Sequence, residues 1–180
     1  AVIAILRGIS AGTGGVELVF FMLILAGRAF GPGFGFVLGV TSLFASALMT
    51  AGVGPWLPFQ MLASAWIGMV AGLLPRRVTG RWEVAMLAAY GVVAAYAYGL
   101  LMNLSGWPFL LGVAVPGHDA TSISFDPQAP LADNLQSFLA YTLITSTTSF
   151  DTGRAVTSAI AIVVLGPAVL ATLRRAARRA

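Results

Sequence analysis

The sequence predicts an all-α integral membrane protein. It reads as a single domain over residues 1–180, a bundle of six transmembrane helices with the first one truncated and both termini cytoplasmic. Three observations predict it. Apolar residues make up 58% of the 180-residue chain, charged residues 9%, and the mean hydropathy is +0.91. An average soluble domain carries about 25% charge, so this chain has too few charges to solvate its own surface. Second, no charged residue occurs from Ala29 to Pro75, a run too long for one crossing. Third, the arginines cluster at the ends of apolar runs. A soluble enzyme and a disordered chain are excluded, and so is a nucleic-acid partner, despite a sequence pI near 10.4. At roughly 20 apolar residues per crossing, the length accommodates about six helices with short loops.

The elements follow from the breaks. The opening AVIAILRGI reads as the end of a first helix whose earlier part precedes the sequence. Spans follow at about 16–30, 34–51, 57–74, 83–103 and 154–173. Gly31-Pro32-Gly33 separates the first two of these, and GVGPW at 52–56 separates the next pair, because Gly and Pro mark turns. Small residues recur at i, i+4 in Gly27/Gly31, Gly35/Gly39, Ala47/Ala51, Gly68/Gly72, Ala85/Ala89 and Ala155/Ala159. Such faces let membrane helices pack closely, within the chain or against a partner subunit. Between Ser105 and Phe150 lies a different region: a long external loop, then an amphipathic helix at about 135–147 leading into the last span. Unstructured loops of that length are uncommon unless functional.

Topology follows from the basic residues. All ten are Arg. With the PRRVTGRW loop at 75–82 in the cytoplasm, Arg28 and the C-terminal arginines fall on the same side. Eight of the ten then lie inside, with Arg7 and Arg154 as exceptions, and Asp119, Asp126 and Asp133 lie outside. That satisfies the positive-inside rule.

Little in the sequence supports bond-making chemistry. There is no Cys, one His and six scattered carboxylates, so neither a metal site nor a catalytic residue is predicted, and no cofactor is expected. His118 reads as solvated. GPGFG at 31–35 lacks the strand and the ribose-binding acid of a dinucleotide site and reads as a tight turn. The informative residues are polar groups at the outer ends of spans, where an unpaired polar group is costly and commonly meets a partner or a ligand. Glu17 opens the second span and Gln60 follows Pro58. Asn103 ends the fifth span, and Asp151 and Arg154 open the last. Trp56, Trp107 and Tyr141 add stacking surface, with Trp66 deeper. Asp151 and Arg154, at i, i+3, also suit a helix-start ion pair with Asp151 as N-cap. Gln60 also suits a cap, and Trp56 and Trp107 an interfacial belt.

Two stretches resemble a known family. GFGFVLGVTSLFASALMTAGVGPWLPFQMLASAWIGMVAGLLPRR, with Gly54, Pro55, Trp56, Pro58 and Gln60 at its turn, resembles the core of substrate-binding S-components of energy-coupling factor (ECF) transporters. FDTGRAVTSAIAIVVLGPAVLATLRR, with Asp151, Gly153, Arg154, Gly166 and Pro167, resembles the last helix of actinobacterial-type members. The resemblance implies a six-helix protein of the cell membrane that captures a vitamin or related micronutrient. It implies a coupling transmembrane (T) subunit and two ATPase subunits as partners, and no enzymatic activity of its own. The long outer loop and the tryptophans point toward cobalamin or a related compound, with a smaller vitamin such as riboflavin, or thiamin or its pyrimidine precursor, as the alternative. An integral membrane enzyme acting on lipid is the competing class.

Overall fold

The computed structural model describes residues 18–50, 52–109 and 123–179, and every element among them is helical. In chain order these are α1 (Val19–Phe30), α2 (Pro32–Met49), α3 (Leu57–Leu73), α4 (Arg81–Gly106), a 3₁₀ turn (Trp107–Phe109) and α5 (Leu131–Thr142). A π-helical segment (Leu143–Asp151) and α6 (Thr152–Ala177) complete the chain. Pro32–Met49, Arg81–Phe109 and Leu131–Ala177 are long and apolar enough to cross a membrane; α1 and α3 are shorter apolar helices.

The breaks fall where Gly and Pro stand. Gly31 adopts φ +101°, a left-handed conformation that residues with a Cβ disfavour. Pro32 then opens α2, where its fixed φ suits the first turn and its missing N–H costs nothing. In the second break the Leu57 N–H donates to the Gly54 carbonyl (3.0 Å), closing a turn before α3. Gly80, at φ +63°, ends the loop before α4.

Helix α1 is the centre. Nine of its 12 residues are buried, among them Phe20, Leu23, Ile24 and Leu25, and it packs against α2, α3, α4 and α6. A helix apolar on every side belongs in a core. Around it, α2 and α3 approach until backbone meets backbone: a Cβ on Gly35 would strike the Gly68 carbonyl, and one on Gly68 the Gly35 carbonyl. The small-residue faces of α2 and α3 are therefore spent on packing inside the chain. Ala85 and Ala89 are exposed instead. The Tyr90 hydroxyl donates to the Ile67 carbonyl (2.8 Å), tying α4 to α3.

The C-terminal half differs from the sequence expectation. Leu131–Ala177 is one unbroken helical run of 47 residues, roughly 70 Å at 1.5 Å per residue. The amphipathic helix begins at Leu131 and passes directly into the last span. The hydroxyl-rich stretch LITSTTSFD does not break the helix; it continues it with wider π turns. Asp151 lies inside this run with helical φ/ψ and makes no cap hydrogen bond, so the N-cap role expected for it is not taken. The physical reason is that the π segment (Leu143–Asp151) precedes α6 without a break and supplies carbonyls for the N–H groups that a cap would satisfy.

Candidate functional site

Two polar clusters sit at opposite ends of the bundle. At the end with the 74–80 loop, Arg28 is buried and donates from Nε to Glu83 Oε1 (2.6 Å). Its Nη1 and Nη2 donate to the carbonyls of Leu74 (2.8 Å), Pro75 (3.1 Å) and Val78 (3.2 Å). Arg174, near the end of α6, donates to the same Glu83 oxygen (2.6 Å). One carboxylate thus joins α1, α4 and α6, while Arg28 holds the loop after α3.

At the other end, a cleft of about 280 Å³ opens between α1, α3, α4 and the π segment. Gln60 and Ser64, one turn apart, line it from α3. Tyr98, Gly99 and Asn103 line it from α4, and Phe20 from α1. Tyr141, Thr145, Ser146, Phe150 and Asp151 line it from α5 and the π segment, and Arg154 from α6.

Asp151 is 1% exposed. Its carboxylate accepts from Ser146 Oγ (2.7 Å) and from Arg154 Nη1 (3.1 Å). The π segment makes the first bond possible, because its wider turn brings residues i and i+5 into line. The Thr152 hydroxyl reaches the Thr147 carbonyl across the same spacing (2.6 Å). Single π turns are found often at functional sites. The Arg154 guanidinium lies over two rings, 5.3 Å from the Phe20 centroid and 4.8 Å from that of Tyr98. Gly99 leaves the space that Asp151 fills, for a Cβ there would collide with both carboxylate oxygens. Among the described residues, two polar atoms of the lining have no partner: Ser64 Oγ and Asn103 Nδ2.

Of the residues singled out in the sequence, Gln60, Asn103, Tyr141, Asp151 and Arg154 meet in this cleft. Asp151 and Arg154 also form the i, i+3 ion pair. Gln60 lies inside α3 rather than capping it. Glu17 and His118 lie outside the described residues. Trp56 is half exposed, at 52%, and does not line the cleft. Trp107 is buried elsewhere: its Nε1 donates to the Ile123 carbonyl (2.8 Å) and its ring packs on Phe125 and Phe138. It ties the chain at Ile123 to the end of α4, and Asn134 clamps the neighbouring residues through Asp126. Trp66 borders a separate apolar groove with Phe59 and Leu101. Aromatic surface in the cleft comes from Phe20, Tyr98, Tyr141 and Phe150 instead.

Sequence reasoning missed Ser64, Ser146 and Gly99. Ser146 stands five residues before Asp151, a spacing that only a π turn makes productive. Ser64 is a lone hydroxyl in an apolar span, and Gly99 depends on how closely two helices approach.

Among the described residues no group of three or more His, Asp or Glu is placed to hold a metal ion. No curated protein and no solved structure matches the chain. The model of the family described as "ECF transporter, substrate-specific component" matches residues 1–166. With the apolar helices and the cleft between them, that match over most of its length identifies this multi-pass membrane chain as a member of the ECF transporter substrate-specific component family.

Proposed function

We propose that this chain, as one six-helix domain of the cell membrane, captures a vitamin-type small molecule from outside and delivers it for ATP-driven uptake. A coupling T subunit and two ATPase subunits supply the energy. The cleft carries the reading. Polar groups from α3, α4, the π segment and α6 converge there, in a bundle whose remaining surface is largely apolar. The orientation rests on the arginines. The end holding Arg28, the 74–80 loop and Arg174 faces the cytoplasm, which turns the cleft outward and puts both termini inside.

Within this reading, size favours the smaller ligands. A cleft of about 280 Å³ falls just below the roughly 300–1,000 Å³ that hold drug-sized molecules. It suits one ring system, such as the pyrimidine precursor of thiamin, thiamin itself or riboflavin, better than a corrinoid. Gln60, Asn103, Tyr141, Asp151 and Arg154 are the proposed contacts, with Glu17 joining from the start of its span. Trp56 and Trp107 act at the rim and in the loop anchor.

Mass spectrometry of small molecules extracted from the purified protein tests the proposal. The expected result is a single vitamin-type compound in stoichiometric amount, with ATPase subunits co-purifying when all components are expressed together. Lipid turnover by the isolated chain, with no such compound bound, would overturn it.

A further inference from the structure

Hydroxyls in the helices of this chain mostly satisfy themselves. Thr41, Ser42, Thr50, Thr145 and Thr172 each donate to the carbonyl four residues earlier, at 2.6–3.0 Å. This back-bonding is the usual escape for a hydroxyl in an apolar helix. Among the described residues Ser46, Ser64, Thr142 and Ser158 do not take it, and of these four Ser64 alone lines the cleft. Ser64 is 0% exposed, and its Oγ has no partner among the described residues. From α4, Asn103 brings a second such atom, Nδ2, also buried and unpaired. An amide NH₂ only donates, so Asn103 calls for an acceptor on whatever fills the cleft, and the Ser64 hydroxyl, which donates or accepts, is able to pair with an acceptor as well.

The charged groups of the lining make a different demand. Asp151 is already bonded to Ser146 and Arg154, and the Arg154 guanidinium occupies the faces of Phe20 and Tyr98. The pair balances its own charge, so the cleft needs no ionic ligand. The rings of Tyr141 and Phe150 remain to cover a flat surface.

From this we propose that Ser64 and Asn103 are the specificity-determining groups of the cleft. Its ligand is a small heteroaromatic compound that presents ring nitrogens or carbonyl oxygens to their O–H and N–H. The proposal rests on the capture reading above. It adds which atoms choose among ligands, while the Asp151–Arg154 pair holds the wall in which those atoms stand. A site built to hydrogen-bond a given atom rejects an analogue lacking it, because its own buried groups are then left unpaired.

The test is calorimetric titration of the purified full chain with four probes: thiamin, its hydroxymethylpyrimidine precursor, riboflavin and cobalamin. One of the three small ring compounds is expected to bind. Ser64→Ala and Asn103→Leu should each weaken it about tenfold or more, the scale of one lost buried hydrogen bond. Ser46→Ala is the control, since Ser46 is equally buried and unpaired but lines none of the described cavities. Analogues of the bound compound with each ring nitrogen replaced in turn by C–H, or each carbonyl by CH₂, complete the experiment. One of them should bind the parent about tenfold more weakly yet bind Ser64→Ala as well as the unmodified compound does. Parent-like affinity in Ser64→Ala, or binding of cobalamin alone, overturns the proposal. Failure of all four probes to bind counts against the capture reading itself.

Discussion

The two ends of the bundle use the same chemistry, arginine beside a carboxylate, and reach opposite states. Around Glu83 the guanidiniums find acceptors: two share one carboxylate oxygen, and Arg28 also bonds three backbone carbonyls. Around Asp151 the pair is embedded in a wall that keeps unpaired atoms, with a cleft in front of it. A saturated cluster fixes helices relative to one another and offers nothing to a ligand. An incompletely satisfied one carries a standing cost that a ligand can relieve. The difference teaches that charge alone does not mark the site; what remains unpaired beside the charge does.

Glu83→Gln should break the closed end with the largest effect. It leaves Arg28, 7% exposed, without its counter-charge, and breaking a buried pair costs about 3–5 kcal/mol. Thermal unfolding in detergent should show that loss, while ligand affinity of the folded fraction stays at the parent value. Asp151→Asn, the matching change at the open end, also breaks a buried pair, but Arg154 keeps the faces of Phe20 and Tyr98, so its cost should sit at the low end of that range, about 3 kcal/mol. It should also lower affinity, so titration and unfolding must be measured on the same preparation. An affinity equal to the parent's would reduce the Asp151–Arg154 pair to a second staple.

Gly99→Ala sharpens the same contrast without touching charge. Its Cβ would collide with the Asp151 carboxylate, and overpacking of this kind costs about 1–3 kcal/mol. Gly106→Ala on the same helix meets nothing within 4 Å and serves as its reference in both assays. The smallest effect belongs to Arg174→Gln. That side chain is 42% exposed, and exposed pairs contribute about 0–1 kcal/mol. Glu83 keeps Arg28, so unfolding should shift little.

The helix boundaries were legible because Gly, Pro and Arg punctuate apolar runs: α2, expected at 34–51, spans Pro32–Met49, and α3, expected at 57–74, spans Leu57–Leu73. The hydroxyl-rich run before Asp151 was not, since Ser and Thr read as helix-weakening in water but bond back to the helix here. Within the cleft, Gln60, Asn103, Asp151 and Arg154 stood out as polar groups in apolar spans. Gly99 could not, because its role exists only where α4 meets the Asp151 side chain. Trp107 looked like stacking surface and proved to be an anchor: an indole N–H seeks an acceptor, and the carbonyl it found is 16 residues away. The Arg28–Glu83 pair left a faint trace, since both residues were placed at span ends on one side of the membrane.

The contrast between the ends is tested most directly by the ligand-induced rise in unfolding temperature, measured for Asp151→Asn and Arg174→Gln with the compound extracted from the parent protein. The account predicts that Arg174→Gln keeps the full rise and Asp151→Asn loses most of it. A full rise in Asp151→Asn together with a lost rise in Arg174→Gln would place the ligand at the opposite end and contradict the account.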